Sequence, residues 1–419
     1  MKKYALKFIY YILASLARKV LAEHKPFVIG ITGSVGKSST KEALYQVLKD
    51  RFGNDVRANF GNLNAEIGIP LTILGYTELP PKFLWPCFLV GAYFKTYEKE
   101  YPKYLILEMG VEHPGDIKYF GTIVNLDLAV ITSTAPVHIA NFRNHEHLKE
   151  EKISISKILK NDGILFANSD DVDLSKIDQK NVVTVSQGES SKATYKALGV
   201  NLTLSGTDYR IETTGQKISI QSKVLGRQFI YANLLAFAVG QWFGIQSLEI
   251  KKSLEKLRPI PGRMNLIAGK NGVTIIDDTY NASPASVAAA ISILAEIDVQ
   301  RRKVLILGNM NELGGLEKEA HVQIAKFAKG KCDLALFAGP NAALMAQNFG
   351  SGSFAFMNRS ELMNKLDDFI IKDDLVLIKA SQNNNFFEEV TKRLMKNPVE
   401  AKSLLVRQSS FWLRKKNNK

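Results

Sequence analysis

The chain has 419 residues, 46% of them hydrophobic and 23% charged, with a net charge of +14. That length and balance exclude a disordered or fibrous chain and leave room for two or three domains with their own cores. Most of the charge sits at the ends: residues 1–25 carry +5 and residues 402–419 carry +6, which leaves the body near neutrality and excludes a nucleic-acid groove running through the fold.

The first segment, 2-KKYALKFIYYILASLARKVLAEHKP-26, is basic and apolar. Lys7 interrupts the apolar run, so it lacks the roughly 20 uncharged residues of a spanning helix. Cleavage after Ala17, as in a signal peptide, is the weaker reading. An amphipathic helix with aromatics and flanking lysines fits better. A second apolar run, 83-FLWPCFLVGAYF-94, has the same character. The two segments either cap the protein as packed helices or face a membrane. The basic C-terminal tail could likewise meet anionic lipid or stand solvated.

Between them lies 28-VIGITGSVGKSSTKEAL-44, an apolar strand, a glycine loop and a helix. Gly33 and Gly36 let the loop amides converge on an anion, and the helix beginning near Lys37 points its positive end there. Lys37 would meet the outer phosphates and Ser38 would offer its hydroxyl to Mg²⁺. The long P-loop pattern needs glycine where Ile31 stands, so the match is to the shorter T-G-x-x-G-K-S form. The candidate phosphate cradle is Thr32, Gly33, Ser34, Gly36, Lys37, Ser38 and Ser39.

Apolar runs at Phe27–Ile31, Tyr104–Leu107 and Leu128–Ile131 end in polar or glycine-bearing turns, the pattern of a mostly parallel α/β sheet. Ligands of such sheets sit at the strand ends. There stand the Asn-rich 59-NFGNLN-64, Glu108, a carboxylate badly placed for packing but well placed for Mg²⁺, and His138. In 144-NHEHLKEEKISISK-157, Lys152 lies among acids on a helix. His138, His145 and His147 lack the further ligand pair of a zinc site. Residues 161–225 read as a β meander beside the sheet. After the joint 258-RPIPGR-263, strands at 273–280, 303–310, 333–339 and 375–381 alternate with helices, giving a second, smaller doubly wound domain. Asp277, Asp278 and Asn281 stand at the end of its first strand. Cys87 and Cys332 make no disulfide or metal pattern, which suits a reducing compartment.

TGSVGKSSTKEAL, NFGNLNAEIGIPLTIL, LEMGVEHPGDI, APVHIANF, PIPGR, DDTYNASP and LGNMNELG follow one another in the order of a known family. From Val28 to Leu394 the chain resembles the Mur ligases, ATP-dependent amide ligases of peptidoglycan precursor synthesis, and most closely their D-alanyl-D-alanine-adding branch. The resemblance implies an α/β fold: a central P-loop-type, mostly parallel sheet domain at 26–260 with its β meander, and a C-terminal Rossmann-like domain at 261–419, preceded by the helix of residues 1–25. It implies ATP and Mg²⁺ as cofactors, and a muramoyl-peptide acceptor with D-Ala-D-Ala or a similar amine donor as partners. By the same resemblance Lys37 holds the β and γ phosphates, and Ser38 and Glu108 bind Mg²⁺. His138 helps to hold a second Mg²⁺, and Lys152 falls where the family often carries a carbamylated lysine that binds it. Lys37, His138 and Lys152 are thus the expected catalytic set. Asn233, Arg263, Asp278 and Asn281 would contact the nucleotide or, for Asn281, the incoming amine, with closure of the two domains assembling the site.

Three departures bear on the acceptor rather than on the chemistry. The 25 residues ahead of the loop cannot build the family's UDP-gripping domain, the insert at Leu79–Tyr101 is long, and in 226-GRQFIYANLLA-236 Ala232 stands where asparagine is usual, with Asn233 shifted by one. They lead to the expectation that the N-terminal helix and the apolar insert form one surface in place of UDP recognition, with peripheral contact to the inner face of the membrane in a cytoplasmic enzyme. A folylpolyglutamate or cyanophycin synthetase type is disfavoured by IGIPLTIL with DDTYNASP. A non-catalytic nucleotide-binding protein would not need Lys37, Glu108, His138 and Lys152 together.

Overall fold

The structure, a computed structural model, describes residues 2–61, 63–80, 84–135, 141–189, 191–297, 299–382 and 385–417. The chain divides into two compact units, one of residues 1–200, 209–220 and 227–257, the other of residues 258–419 with the short pieces 201–208 and 221–226.

The first unit is built on strands β1 (Phe27–Thr32), β2 (Val56–Ala58), β3 (Tyr104–Glu108), β4 (Leu126–Ile131), β5 (Leu159–Asn168) and β6 (Val182–Ser186). These continue into β7 (Tyr195–Thr203), β8 (Gly206–Thr213) and β9 (Gln216–Ser222), in the sheet order β2-β3-β1-β4-β5-β6-β7-β8-β9. The pairings from β2 through to β7 are parallel. Parallel strands are buried on both faces, which is why β1, β3 and β4 read as unbroken apolar runs.

Side chains alternate between two cores with period two. Val28, Leu105, Leu107 and Ala129 pack with Leu13 and Ala17 of α1 (Lys2–His24) and with Ile69 and Ile73 of α3 (Gly68–Ile73). Ile29, Ile31, Ile106, Leu128 and Val130 pack with Leu44 and Leu48 of α2 (Lys37–Phe52). On the first face lie also α4 (Trp85–Lys95) and α5 (Asp116–Gly121), with α6 (His145–Ile153) beyond. On the second lie α7 (Arg227–Trp242) and α8 (Ser247–Lys256), through Phe237 and Ile250.

The second unit has β10 (Asn265–Ala268), β11 (Thr274–Asp278), β12 (Lys303–Leu307), β13 (Leu334–Ala338), β14 (Ser353–Phe356) and β15 (Leu375–Lys379). Their sheet order is β10-β11-β15-β12-β13-β14, all parallel except β10, which runs antiparallel at the edge. Helix α9 (Pro284–Glu296) starts on a capping box made by Ser283 and Ser286, which satisfies orphan amides at its first turn.

The expected α/β architecture holds in both sheets. The segment 161–225 differs in detail: β5 and β6 are parallel members of the main sheet, and β7–β9 extend it rather than lying beside it. Their alternation comes from a sheet edge with one wetter face, which the apolar pattern alone does not distinguish from a separate meander. The short strands β2, β10 and β14 carry too few residues to register as periodic. Among the described residues no helix is long and apolar enough to cross a membrane.

Two tail cations are not solvated, contrary to one reading of the basic C-terminus. Fully buried Glu388 pairs with Arg407 at 3.1 Å and with Lys416 at 2.9 Å. Arg407, held at φ 57°, also donates to the carbonyls of Thr279 and Tyr280. A buried carboxylate needs such partners, because removing one leaves charge without compensation. Arg407→Ala is therefore expected to destabilise the folded chain by roughly 3 kcal/mol, read from the denaturant midpoint, whereas Arg414→Ala on the exposed part of the tail leaves it unchanged.

Candidate active site

The carboxyl ends of β1, β3 and β4 lie side by side, with Ile31 opposite Glu108 and Thr32 opposite Ile131. Into this edge opens the loop from Gly33 to Gly36. Gly33 (φ 148°) and Gly36 (φ 88°) take backbone angles that only glycine adopts readily, and a Cβ on Gly33 would overlap Thr132 Oγ1. Thr132 braces the turn by donating to Val35 O at 2.6 Å, and Ser34 N donates to Ser133 O at 2.8 Å. No side chain caps α2, so its first amides face the loop with their hydrogen-bonding capacity available to an anion. Lys37 Nζ reaches back to Gly33 O at 2.6 Å. The buried Ser34 hydroxyl has no hydrogen-bond partner among the described residues.

Glu108 is 1% exposed at the end of β3. Its Oε1 accepts from Ser38 Oγ and Asn64 Nδ2, each at 3.0 Å, while Lys41 stands 3.7 Å from Oε2. Asn59 brackets the same residue, accepting from its backbone amide at 2.8 Å and donating to its carbonyl at 3.0 Å. Oε2 itself receives no hydrogen bond among the described residues. A buried carboxylate oxygen left with one distant cation, beside a serine hydroxyl and a helix N-terminus, is the donor set that a hard divalent ion and phosphate oxygens fit.

Lys152, in the last turn of α6, is 2% exposed. Its amine makes no hydrogen bond or ion pair among the described residues. Burial, and then the positive charge of Lys37, push its pKa down to about 7. The acids around it in the sequence do not make it a solvated residue, because α6 turns it inward with Leu148 and Ile153. His138 lies outside the described residues. His145 Nε2 is 2.9 Å from Thr134 O, and His147 packs edge-on against Phe142.

In the second unit the end of β11 carries a separate polar group. Asp278 pairs with Lys379, its register neighbour at the end of β15, at 2.6 Å. Lys379 also donates to Asn281 O at 2.8 Å, and Asn281 Oδ1 accepts from the amides of Ala282 and Gln382. The Arg263 guanidinium lies 4.5 Å from the Tyr280 ring centroid. Asp277 is fully buried, accepts from Thr279 and Thr391, and is pushed up to about 7 by burial.

Thr32, Gly33, Ser34, Gly36, Lys37, Ser38 and Ser39 are thus gathered in one turn with Glu108 beside it, and Lys152 is close enough to feel the charge of Lys37. Arg263, Asp278 and Asn281 gather in the second unit. Asn233 stands apart: it is buried in α7 and spends its amide on the Tyr209 hydroxyl at 2.8 Å. Asn59 and Asn64 stand out in the sequence only as part of the Asn-rich segment 59–64, and Lys41, Thr132 and Lys379 escaped its reading. A lysine closing a wholly apolar strand, as in 375-LVLIK-379, is the signal that marks the last of them.

Similarity to known proteins follows the same division. Residues 31–240 match the Mur ligase middle domain, and residues 262–382 match the domain described as Mur ligase, glutamate ligase domain. The UDP-N-acetylmuramoyl-tripeptide–D-alanyl-D-alanine ligase of Bacillus subtilis is 30% identical over 393 residues, covering 92% of this chain and 80% of that protein. The enzyme of that name from Escherichia coli is 28% identical over 88% of this chain and 77% of its own. Among solved structures, the MurF ligase of Thermotoga maritima in complex with ADP superposes with a TM-score of 0.75 at 26% identity, over 94% of this chain and 85% of that one. With a phosphate-type loop at the sheet edge of the first unit and relatives that span both, the chain belongs to the Mur ligase family.

Proposed function

We propose that the chain is an ATP- and Mg²⁺-dependent amide ligase that joins D-alanyl-D-alanine to the peptide carboxylate of a UDP-N-acetylmuramoyl-tripeptide. The observation that carries this is the Glu108 cluster, a buried carboxylate with an unsatisfied oxygen beside Ser38 and an uncapped helix N-terminus. The names of the relatives supply the acceptor and the donor.

In this reading the loop amides from Gly33 to Ser39 take the phosphates, and Lys37 exchanges the Gly33 carbonyl for phosphate oxygens. Ser38 and Glu108 would hold Mg²⁺, with His138 and Lys152 near a second ion; the metal offsets phosphate charge. A carboxylate is a poor electrophile because hydroxide leaves badly. Transfer of the γ-phosphoryl group to it gives an acyl phosphate and ADP. The dipeptide amine then adds to the carbonyl carbon, phosphate leaves with the C–O bond's electrons, and the nitrogen loses a proton. The protein's share is positioning and charge compensation. Arg263, Asp278 and Asn281 would meet the nucleotide or the amine from the second unit, and Asn233 would serve the adenine side only through its helix. The setting is cytoplasmic, with residues 1–25 and 83–94 offering peripheral contact to the inner face of the membrane.

Lys152 gives the reading a chemical handle. Only a neutral amine adds to CO₂, and a pKa of about 7 leaves much of this one neutral at physiological pH. The neutral fraction rises as pH rises through that value, so carbamate should accumulate above it and fade below. In ¹³C-bicarbonate a carbamate resonance is expected that Lys152→Arg removes, together with about 10²-fold of kcat. A resonance that survives the substitution would assign the carbamate elsewhere.

The decisive assay is ADP release with Mg²⁺-ATP, D-alanyl-D-alanine and UDP-N-acetylmuramoyl-tripeptide, run beside the same sugar-peptide without UDP. Turnover with the UDP substrate is expected, and Lys37→Ala or Glu108→Gln should each cut kcat by about 10²- to 10³-fold. Turnover only without UDP would replace the acceptor, and no turnover with either would overturn the ligase reading.

A further inference from the structure

Helix α1 has two faces. Leu13, Ala14, Ala17 and Val20 are buried against the protein, while Phe8, Tyr11, Ser15 and Lys19 form an exposed stripe at helical spacing. Helix α4 has the same division. Ala92 is buried and Phe88 and Leu89 pack inward, whereas Val90, Tyr93, Phe94 and Tyr97, the last just past its C-terminus, are exposed. The two stripes meet, because Lys19 Nζ lies 4.0 Å from the Tyr97 ring centroid and 5.3 Å from that of Tyr93. Phe8 and Phe94 are 64% and 65% exposed, and Phe94 lies edge-on to the exposed Tyr93, an apolar grouping of the kind that marks an interaction surface.

We propose that this α1–α4 face is a docking surface for an anionic phospholipid bilayer. Aromatic rings with polar tips, set among lysines, suit the headgroup boundary, where the ring is apolar and the hydroxyl wet. Charge chooses the lipid: residues 1–25 carry +5 in sequence, and Lys19 stands inside the stripe. Helix α1 lies along the surface rather than through it, since its other face is already spent in the core. The proposal rests on the cytoplasmic ligase reading only in choosing the membrane's inner face.

Co-sedimentation of the full chain with phosphatidylglycerol vesicles tests it, since no substrate is needed and ligase failure cannot mimic its failure. Binding is expected to phosphatidylglycerol vesicles, weakly or not at all to phosphatidylcholine vesicles, and to fall as salt rises. Lys19→Glu should weaken it roughly tenfold, and Tyr11→Ser with Phe94→Ser should weaken it at least as much while thermal unfolding stays as in the parent chain. Equal binding to both vesicles, or variants that bind as the parent does, would overturn the proposal. So would a concentration-dependent dimer, seen without lipid and lost in the same variants, which would make the face a protein interface.

Discussion

The charge of Glu108 is the constraint around which the first unit is arranged. A carboxylate taken out of water costs several kcal/mol unless its lone pairs and charge are met. Here the sheet supplies the position, since Glu108 closes β3 opposite Ile31 of β1, and the surrounding loops supply the partners. Ser38 and Lys41 come from the first turns of α2 and Asn64 from the segment after β2, and Asn59 fixes the backbone from which the side chain projects. Ser38 and Asn64 turn towards Oε1, and Lys41 stands at a distance from Oε2. The arrangement is therefore complete in hydrogen bonds on one oxygen and leaves the other facing only Lys41 among the described residues.

The second electrostatic element is repulsion. Lys37 and Lys152 influence each other across the same site, and a buried lysine beside another cation gives up its proton more readily. Phosphate at the loop would relieve the repulsion, and so would conversion of the Lys152 amine into an anion. Strain of this kind is stored by the fold of α6, whose Leu148 and Ile153 bury the helix face that carries Lys152.

How far the sequence made this legible depends on the range of the signal. The loop of Thr32–Ser38 and the long strands β1, β3, β4, β11, β12, β13 and β15 are local patterns, and they read directly. Glu108 could be singled out because a charge ending an apolar strand is locally anomalous. Lys41 could not, and Asn59 only as part of an Asn-rich segment, because their meaning lies in contacts with residue 108, far along the chain. The burial of Lys152 was hidden for the opposite reason: the acids around it made a solvated face the natural inference, and only the packing of α6 reverses it. The C-terminal tail shows the same limit. Arg407 and Lys416 look like members of a basic run, yet both serve a single buried acid, Glu388, while Arg414 and Lys415 beside them stay exposed.

The N-terminal helix ties these scales together. Its apolar content is too interrupted by charge to cross a bilayer and too great to be solvated on every side. The fold resolves this by burying Leu13, Ala17 and Val20 over the face of the sheet that holds Leu105 and Leu107. What is left outward is aromatic and basic, and the exposed stripe of α4 continues it through the stacking of Lys19 on Tyr97. A helix that merely capped the core would gain nothing from outward phenylalanine and tyrosine, since each leaves apolar area in water at roughly 25 cal/mol per Å². Retaining that area on two neighbouring helices, with cations set into it, is physically sensible only if another phase or another molecule takes it out of water.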